Sequence, residues 1–190
     1  SHWTPDAMEA VAARLADVIS PEGGMKELAD TAVLRVSGLG DTARMLDLPA
    51  GSPLRQEQEV AIRTVADARG RPWRPDPAGK VLVLGDSYTN IFSEESLGWG
   101  GSAGFAEQLS RFLGRPVDRL SRNDAGAAEA RRLLVSAAAK DSAWLDGKNV
   151  VVWQLAAREL VDGDWGDVAL ESSPPAEGRF FVAPPGQPLE

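Results

Sequence analysis

Apolar residues recur along this chain in two rhythms. Near the start, Met8, Val11, Ala12, Leu15 and Ile19 repeat at three- and four-residue steps, behind a Thr4 suited to an N-cap and a Pro5 suited to the first helical position. This predicts a helix over Pro5–Ile19, ended by the Pro-Glu-Gly-Gly of 21–24. Weaker signals follow: a helical turn at 25–31, a short strand at 32–36, a turn at 38–41, and a short helix or irregular loop at 41–48. Residues 59–65 alternate imperfectly and fit either strand or helix; we read them as strand. In the second half, apolar runs at 81–84 and 149–155 and a mixed run at 117–120 predict strands. Helices are predicted at 105–113, with Leu109, Phe112 and Leu113 facing inward, and at 127–139.

The order strand, helix, strand, helix, strand predicts an α/β fold with a parallel sheet flanked by helices in three layers. In such sheets the functional loops lie at the carboxyl ends of the strands. Those ends carry Asp86 and Ser87, residues 123–126, and residues 154–159. A Pro-rich connector spans 68–79 and a Gly-rich, flexible loop 98–104. The whole of 1–190 reads as one domain, with 166–190 a Pro/Gly-rich tail or edge element and a candidate strand at 179–182.

Composition narrows the function. The formal net charge is −8 and the basic residues are dispersed, which argues against nucleic acid as a partner. There is no cysteine, hence neither disulfide nor thiol nucleophile. One histidine and scattered carboxylates form no metal-ligand spacing, so no metal or other cofactor is expected. No apolar run reaches the ~18 residues of a membrane span, and the start lacks the pattern of a signal peptide. A chain opening on Ser1-His2-Trp3 without Met reads as processed, truncated or engineered.

The sharpest chemical signal is Gly85-Asp86-Ser87, directly after the apolar run 81–84. A hydroxyl at the exit of a buried strand is well placed for nucleophilic attack, given a base. The only histidine, His2, lies 85 residues upstream. By itself the tripeptide is equally a turn. It is not a Gly-x-Ser-x-Gly elbow, because position 89 is Thr. Asp86 reads as a turn or supporting residue rather than the acid that orients a catalytic histidine.

Longer words in order around it are more specific. His-Trp-Thr-Pro (2–5), Gly-Asp-Thr-Ala-Arg-Met-Leu (40–46), Leu-Gly-Asp-Ser-Tyr-Thr-Asn (84–90), the Gly-rich 98–109 and Val-Val-Trp-Gln-Leu-Ala-Ala-Arg-Glu-Leu (151–160) succeed one another. Together they resemble the SGNH/GDSL hydrolase-like domain of the alginate O-acetyltransferase family, over most of residues 1–165. The resemblance implies Ser87 as nucleophile and His2 as base. It also implies an Asp one position before Ser1, outside this chain, which would leave the pair without its orienting acid. By the same resemblance, Gly126 would serve as an oxyanion donor in the second sequence block. The usual Gly-x-Asn-Asp third block is absent, and Gln154 to Glu159 stand in its place.

Three further residues are candidates from their chemistry. Arg158 could clamp a uronate carboxylate or simply pair with Glu159. Tyr88 could line the site or pack on the sheet edge. Trp99, in the Gly-rich loop, is the best candidate for stacking on a sugar, whereas Trp153, inside an apolar strand, is expected in the core. The implied activity is acetyl transfer to an extracytoplasmic or periplasmic polysaccharide, or hydrolysis of its acetyl esters, with a membrane-bound acyltransferase partner as possible acetyl donor. Two alternatives remain open here: a non-catalytic carbohydrate-binding or scaffold protein with the same fold, and an unrelated flavodoxin-like domain in which Gly-Asp-Ser is only a turn.

Overall fold

The computed structural model describes residues 2–21, 31–67, 69–124 and 126–168. The expected helical turn at 25–31 falls almost wholly outside them, and the expected strand at 179–182 entirely so. Helix α1 (Pro5–Ile19) forms over the predicted span: Thr4 Oγ1 accepts the Ala7 N–H, Pro5 opens the first turn, and Met8, Ala12 and Ala16 form the buried stripe, flanked by the half-buried Leu15 and Ile19, whereas Val11 of the predicted stripe is exposed. Strands β1 (Thr31–Leu39) and β2 (Glu57–Val65) pair antiparallel in a two-stranded hairpin, from Thr31 opposite Val65 to Leu39 opposite Glu57. That pairing resolves the ambiguity at 59–65 in favour of strand. Between them the five-residue helix α2 (Asp41–Met45) follows Gly40 without a buried residue.

The parallel sheet has the order β4-β3-β5, built from β3 (Val81–Gly85), β4 (Val117–Ser121) and β5 (Val150–Trp153). All five residues of β3 are buried. Side chains alternate across a strand, so β3 contributes apolar groups to both faces. On one face Val81 and Val83 join a core with Met8 and Ala12 of α1 and Phe105, Ala106 and Leu109 of α4 (Phe105–Leu113). Full burial of each such Val or Leu stabilises the fold by roughly 1.5–3 kcal/mol. On the other face α5 (Ala127–Lys140) packs on β3 and β4 through the small residues Ala127, Ala128 and Ala130.

Cover on both faces therefore holds for β3 but not for β5. The outer position of β5 among the described residues leaves Val151 46% exposed. Trp153, expected in the core, is half-buried and meets Trp165 edge to face at 5.7 Å. A short helix α6 (Ser142–Asp146) was not anticipated from the pattern, although Asp141 caps it by accepting the Trp144 N–H. Among the described residues no helix is long and apolar enough to cross a membrane.

The strand order matters for function. From β3 the chain crosses first to β4 on one side and later returns to β5 on the other. The carboxyl end of β3 is thus the point where the winding reverses, and a crevice opens there between the exit loops. Ser87 stands at that point, at the start of the four-residue helix α3 (Ser87–Asn90).

Candidate active site

At the end of β3 the backbone must turn within two residues, and Gly85 makes this possible. A Cβ at Gly85 would collide with Thr89 Oγ1 and sit 3.1 Å from Gln154 Oε1. Asp86, 6% exposed, caps α3 by accepting the Tyr88 N–H on Oδ1 at 2.8 Å. Burial holds the Asp86 carboxyl above the usual range, against the pull of the Tyr88 N–H, Gln154, Arg158 and His2. Asp86 is thus a structural cap of the turn, as its sequence position suggested.

His2 Nε2 lies 2.9 Å from Ser87 Oγ. On the other side of the ring, His2 Nδ1 lies 3.2 Å from Asp41 Oδ2. The sequence left this pair without an acid; the structure supplies one from the first residue of α2. Asp6, close to His2 in sequence, is exposed in the first turn of α1. The segment bearing His2 is anchored by its neighbour, since Trp3 Nε1 donates to the Tyr88 carbonyl at 3.0 Å and its ring packs on Phe105. Tyr88 stacks obliquely on the His2 ring, with centroids 4.6 Å apart. Burial lowers the His2 pKa below 6.5, although the Asp41 and Asp86 carboxylates pull it upward. The shift favours the neutral imidazole, which leaves one ring nitrogen able to accept a proton from Ser87. The Ser87 N–H donates to no group among the described residues.

These residues open into a cleft of about 690 Å³. Its far wall is made by Asn123, Asp124, Gly126, Arg158 and Glu159, and Met45 of α2 and the adjoining Leu46 stand exposed at its rim. Asn123 is fixed by accepting from Asn90 Nδ2 and donating to Glu94 Oε2. Gly126 borders the cleft as the residue before α5. Its missing side chain makes room for the Glu159 carboxylate, which accepts the Ala127 N–H at 2.8 Å. Arg158 is largely exposed, its Nε 3.7 Å from Glu159 Oε1 in a loose pair. Both readings of Arg158 are thus compatible with its place: it borders the cleft and it has a carboxylate partner.

One candidate is displaced. Trp99 is only 8% exposed and belongs to the hydrophobic core, its ring against Gly38 of β1. Gly98 and Gly100, at φ of 82° and 81°, fold the loop inward and carry the indole beneath the surface. Trp99 is not a stacking platform for a sugar. Conversely, Asp41, Gln154, Trp3 and Glu159 take part in the site although no single motif marked them for it. Asp41 and Trp3 do fall within the quoted words 40–46 and 2–5. A second cleft, of about 710 Å³ around Trp73, lies at the amino ends of the strands and contains no histidine. Among the described residues no group of His, Cys, Asp and Glu could hold a metal ion.

With this geometry in place, comparison with known proteins is informative. The family described as SGNH hydrolase-like domain, acetyltransferase AlgX, matches residues 1–157 of the chain. The chain belongs to this family. Two solved structures share the fold of this SGNH-like domain. The O-acetyltransferase domain of Pseudomonas putida AlgJ is 21% identical with a TM-score of 0.62, over 88% of this chain and 55% of that one. Pseudomonas aeruginosa AlgX is 17% identical with a TM-score of 0.53, over 82% of this chain and 34% of that one. The chain thus spans about half of the AlgJ chain and a third of the AlgX chain. No curated protein matches it.

Proposed function

We propose that this SGNH-like domain transfers acetyl groups to the hydroxyls of an extracytoplasmic polysaccharide through an acetyl-Ser87 intermediate, with release of acetate to water as the competing outcome. The observation that carries this reading is the continuous hydrogen-bonded line from Asp41 through both ring nitrogens of His2 to Ser87 Oγ. Family membership supports acetylation as the chemistry.

In the first step Ser87 Oγ attacks the acetyl carbonyl carbon while His2 Nε2 takes the hydroxyl proton. The carbonyl π electrons move onto oxygen. The Ser87 N–H faces that oxyanion as one donor, and we assign the Gly126 N–H on the opposite wall as a second. Collapse re-forms the carbonyl and breaks the bond to the leaving oxygen, which takes the proton back from His2. In the second step a sugar hydroxyl repeats the attack on acetyl-Ser87, with His2 again as base, and regenerates the serine. Asp41 keeps the Nδ1–H directed at itself and stabilises the imidazolium formed in each step. Tyr88 acts through its stacking on the imidazole, and Arg158, exposed at the rim, suits the carboxylate of a uronate unit. The acetyl group would come from a membrane-bound acyltransferase partner or from an ester donor. We treat residues 1–190 as one domain acting on its own cleft.

The test is acetyl release from p-nitrophenyl acetate by the chain and by Ser87→Ala, with the acetyl adduct on Ser87 sought by mass spectrometry. The wild type should exceed Ser87→Ala by about 10³-fold or more. Addition of an oligouronate acceptor should then divert acetyl from water to sugar. Equal rates for the two proteins would leave a carbohydrate-binding module with an unused serine.

A further inference from the structure

Behind the nucleophile turn, outside the cleft, one uncharged side chain binds the turn at two points at once. Gln154 follows β5 directly and is fixed through its backbone, whose N–H donates to the Leu84 carbonyl of β3 at 2.8 Å. Its Oε1 accepts the Thr89 hydroxyl at 2.9 Å and the Asp86 N–H at 3.4 Å. These two donors set the amide orientation, oxygen toward them, and the amide favours the charged form of the nearby Asp86 carboxyl. Thr89 is fully buried, and Gly85 is bare where Thr89 and Gln154 approach it.

We infer that Gln154 is a positioning residue for Ser87, an amide clamp that joins β5 to both ends of the nucleophile turn and that must be uncharged because it faces Asp86. The inference rests on reading Ser87 as the nucleophile. Gln154 does not border the cleft, so it cannot act by touching substrate. It acts by holding Asp86 and Thr89 on either side of Ser87 and thereby setting the direction of Oγ toward His2. A carboxylate at 154 would keep the two acceptor contacts and set a second acid beside Asp86. Two acids would then face each other, with the Arg158 guanidinium, the His2 imidazole and the Tyr88 N–H as the other polar groups directed at Asp86, and Asp41 beyond His2. Like charges so close do not both ionise freely, so the pair would retain a proton well above the usual carboxylate range.

The experiment compares Gln154→Glu and Gln154→Leu with wild type, reading p-nitrophenyl acetate turnover and melting temperature from pH 4.5 to 8.5. At pH 4.5, close to the ordinary carboxyl pKa, ionisation of the unfolded chain has gained least over the folded pair, and Gln154→Glu should lie within about threefold of wild type. As pH rises the unfolded chain ionises both acids freely while the folded pair resists. The variant-to-wild-type ratio of kcat/KM should then fall by about tenfold or more, and its Tm by about 3–6 °C relative to wild type. Gln154→Leu should lose activity to a similar extent at every pH. Gln154→Glu ratios that stay flat with pH in both readouts overturn the clamp. A pH-dependent Tm with a flat activity ratio overturns the positioning role and leaves a purely structural contact. If wild type does not exceed Ser87→Ala, the functional reading itself has failed, and the Tm profile alone decides whether the amide clamps the turn.

Discussion

Ser87 stands two residues beyond β3, a strand buried on both faces at the centre of the sheet, whereas His2, backed by Asp41, reaches it from the flank. His2 belongs to the few residues ahead of α1, and Asp41 to a short helix in the connection between the strands of a hairpin much of which is exposed. Ser87 is thus held by core packing and by the Gln154 contacts. His2 is held by surface-facing contacts: Trp3 on the Tyr88 carbonyl, the stacked Tyr88 ring, and a carboxylate whose side chain is 35% exposed. One half of the pair is fixed by burial, the other by a chain of individually modest bonds.

The largest break in that contrast should come from the exposed half. Asp41→Asn keeps the shape but removes the charge that stabilises the imidazolium. Acetyl release should fall by about 10²–10⁴-fold in kcat/KM, with little change in Tm. The pH profile adds a sign. Burial holds the His2 pKa below 6.5 while Asp41 pulls it up, so wild-type kcat/KM should rise as pH increases through a midpoint below 6.5. Removing Asp41 should move that midpoint to still lower pH. A midpoint that stays in place or climbs would mean that Asp41 does not act on His2 in solution.

The buried half should respond the other way, through stability. Gly85→Ala drives a methyl into Thr89 Oγ1, and such overpacking costs about 1–3 kcal/mol. For a chain of this size that is a fall of several degrees in Tm, with activity falling alongside because the turn itself moves. Adding Thr89→Ala should recover part of the loss in Tm; no recovery would place the strain elsewhere. The smallest effect is expected at the rim. Arg158→Ala should leave p-nitrophenyl acetate turnover and Tm unchanged, since the residue is largely exposed and only loosely paired. It should raise KM for an oligouronate acceptor by about three- to tenfold and leave a neutral oligosaccharide unaffected.

The same contrast explains what could be read from the chain and what could not. The run 81–84, the helix 105–113 and the stripe of α1 were legible because local periodicity reports burial directly. Ser87 was legible because a strand and its exit are contiguous. The carboxylate beside His2 was not, because Asp41 meets His2 only once β1 has paired with β2 and delivered α2 to the cleft. Gln154 was passed over for the same reason: its contacts with Asp86 and Thr89 arise from parallel pairing of β5 with β3. Trp99 misled because a Gly-rich run signals freedom, while the two left-handed glycines in fact turn it into the core. Trp153 sits in an apolar run that reads as interior, yet β5 is the outer strand among the described residues.

The direction of the sheet also decides where the molecule can be altered without penalty. Ser87, the 123–126 loop and Gln154 to Glu159 lie at the carboxyl ends of three parallel strands, with His2 and Asp41 brought to the same end. At the amino ends the chain passes through the turn at Gly70, which takes φ of 73° and is closed by the Arg71 N–H and guanidinium binding Asp67. That turn is exposed and contributes nothing to the cleft. A fluorophore, an affinity tag or an inserted domain attached there would be carried on the far end of the sheet, leaving the mouth of the cleft clear for a polymer chain to pass.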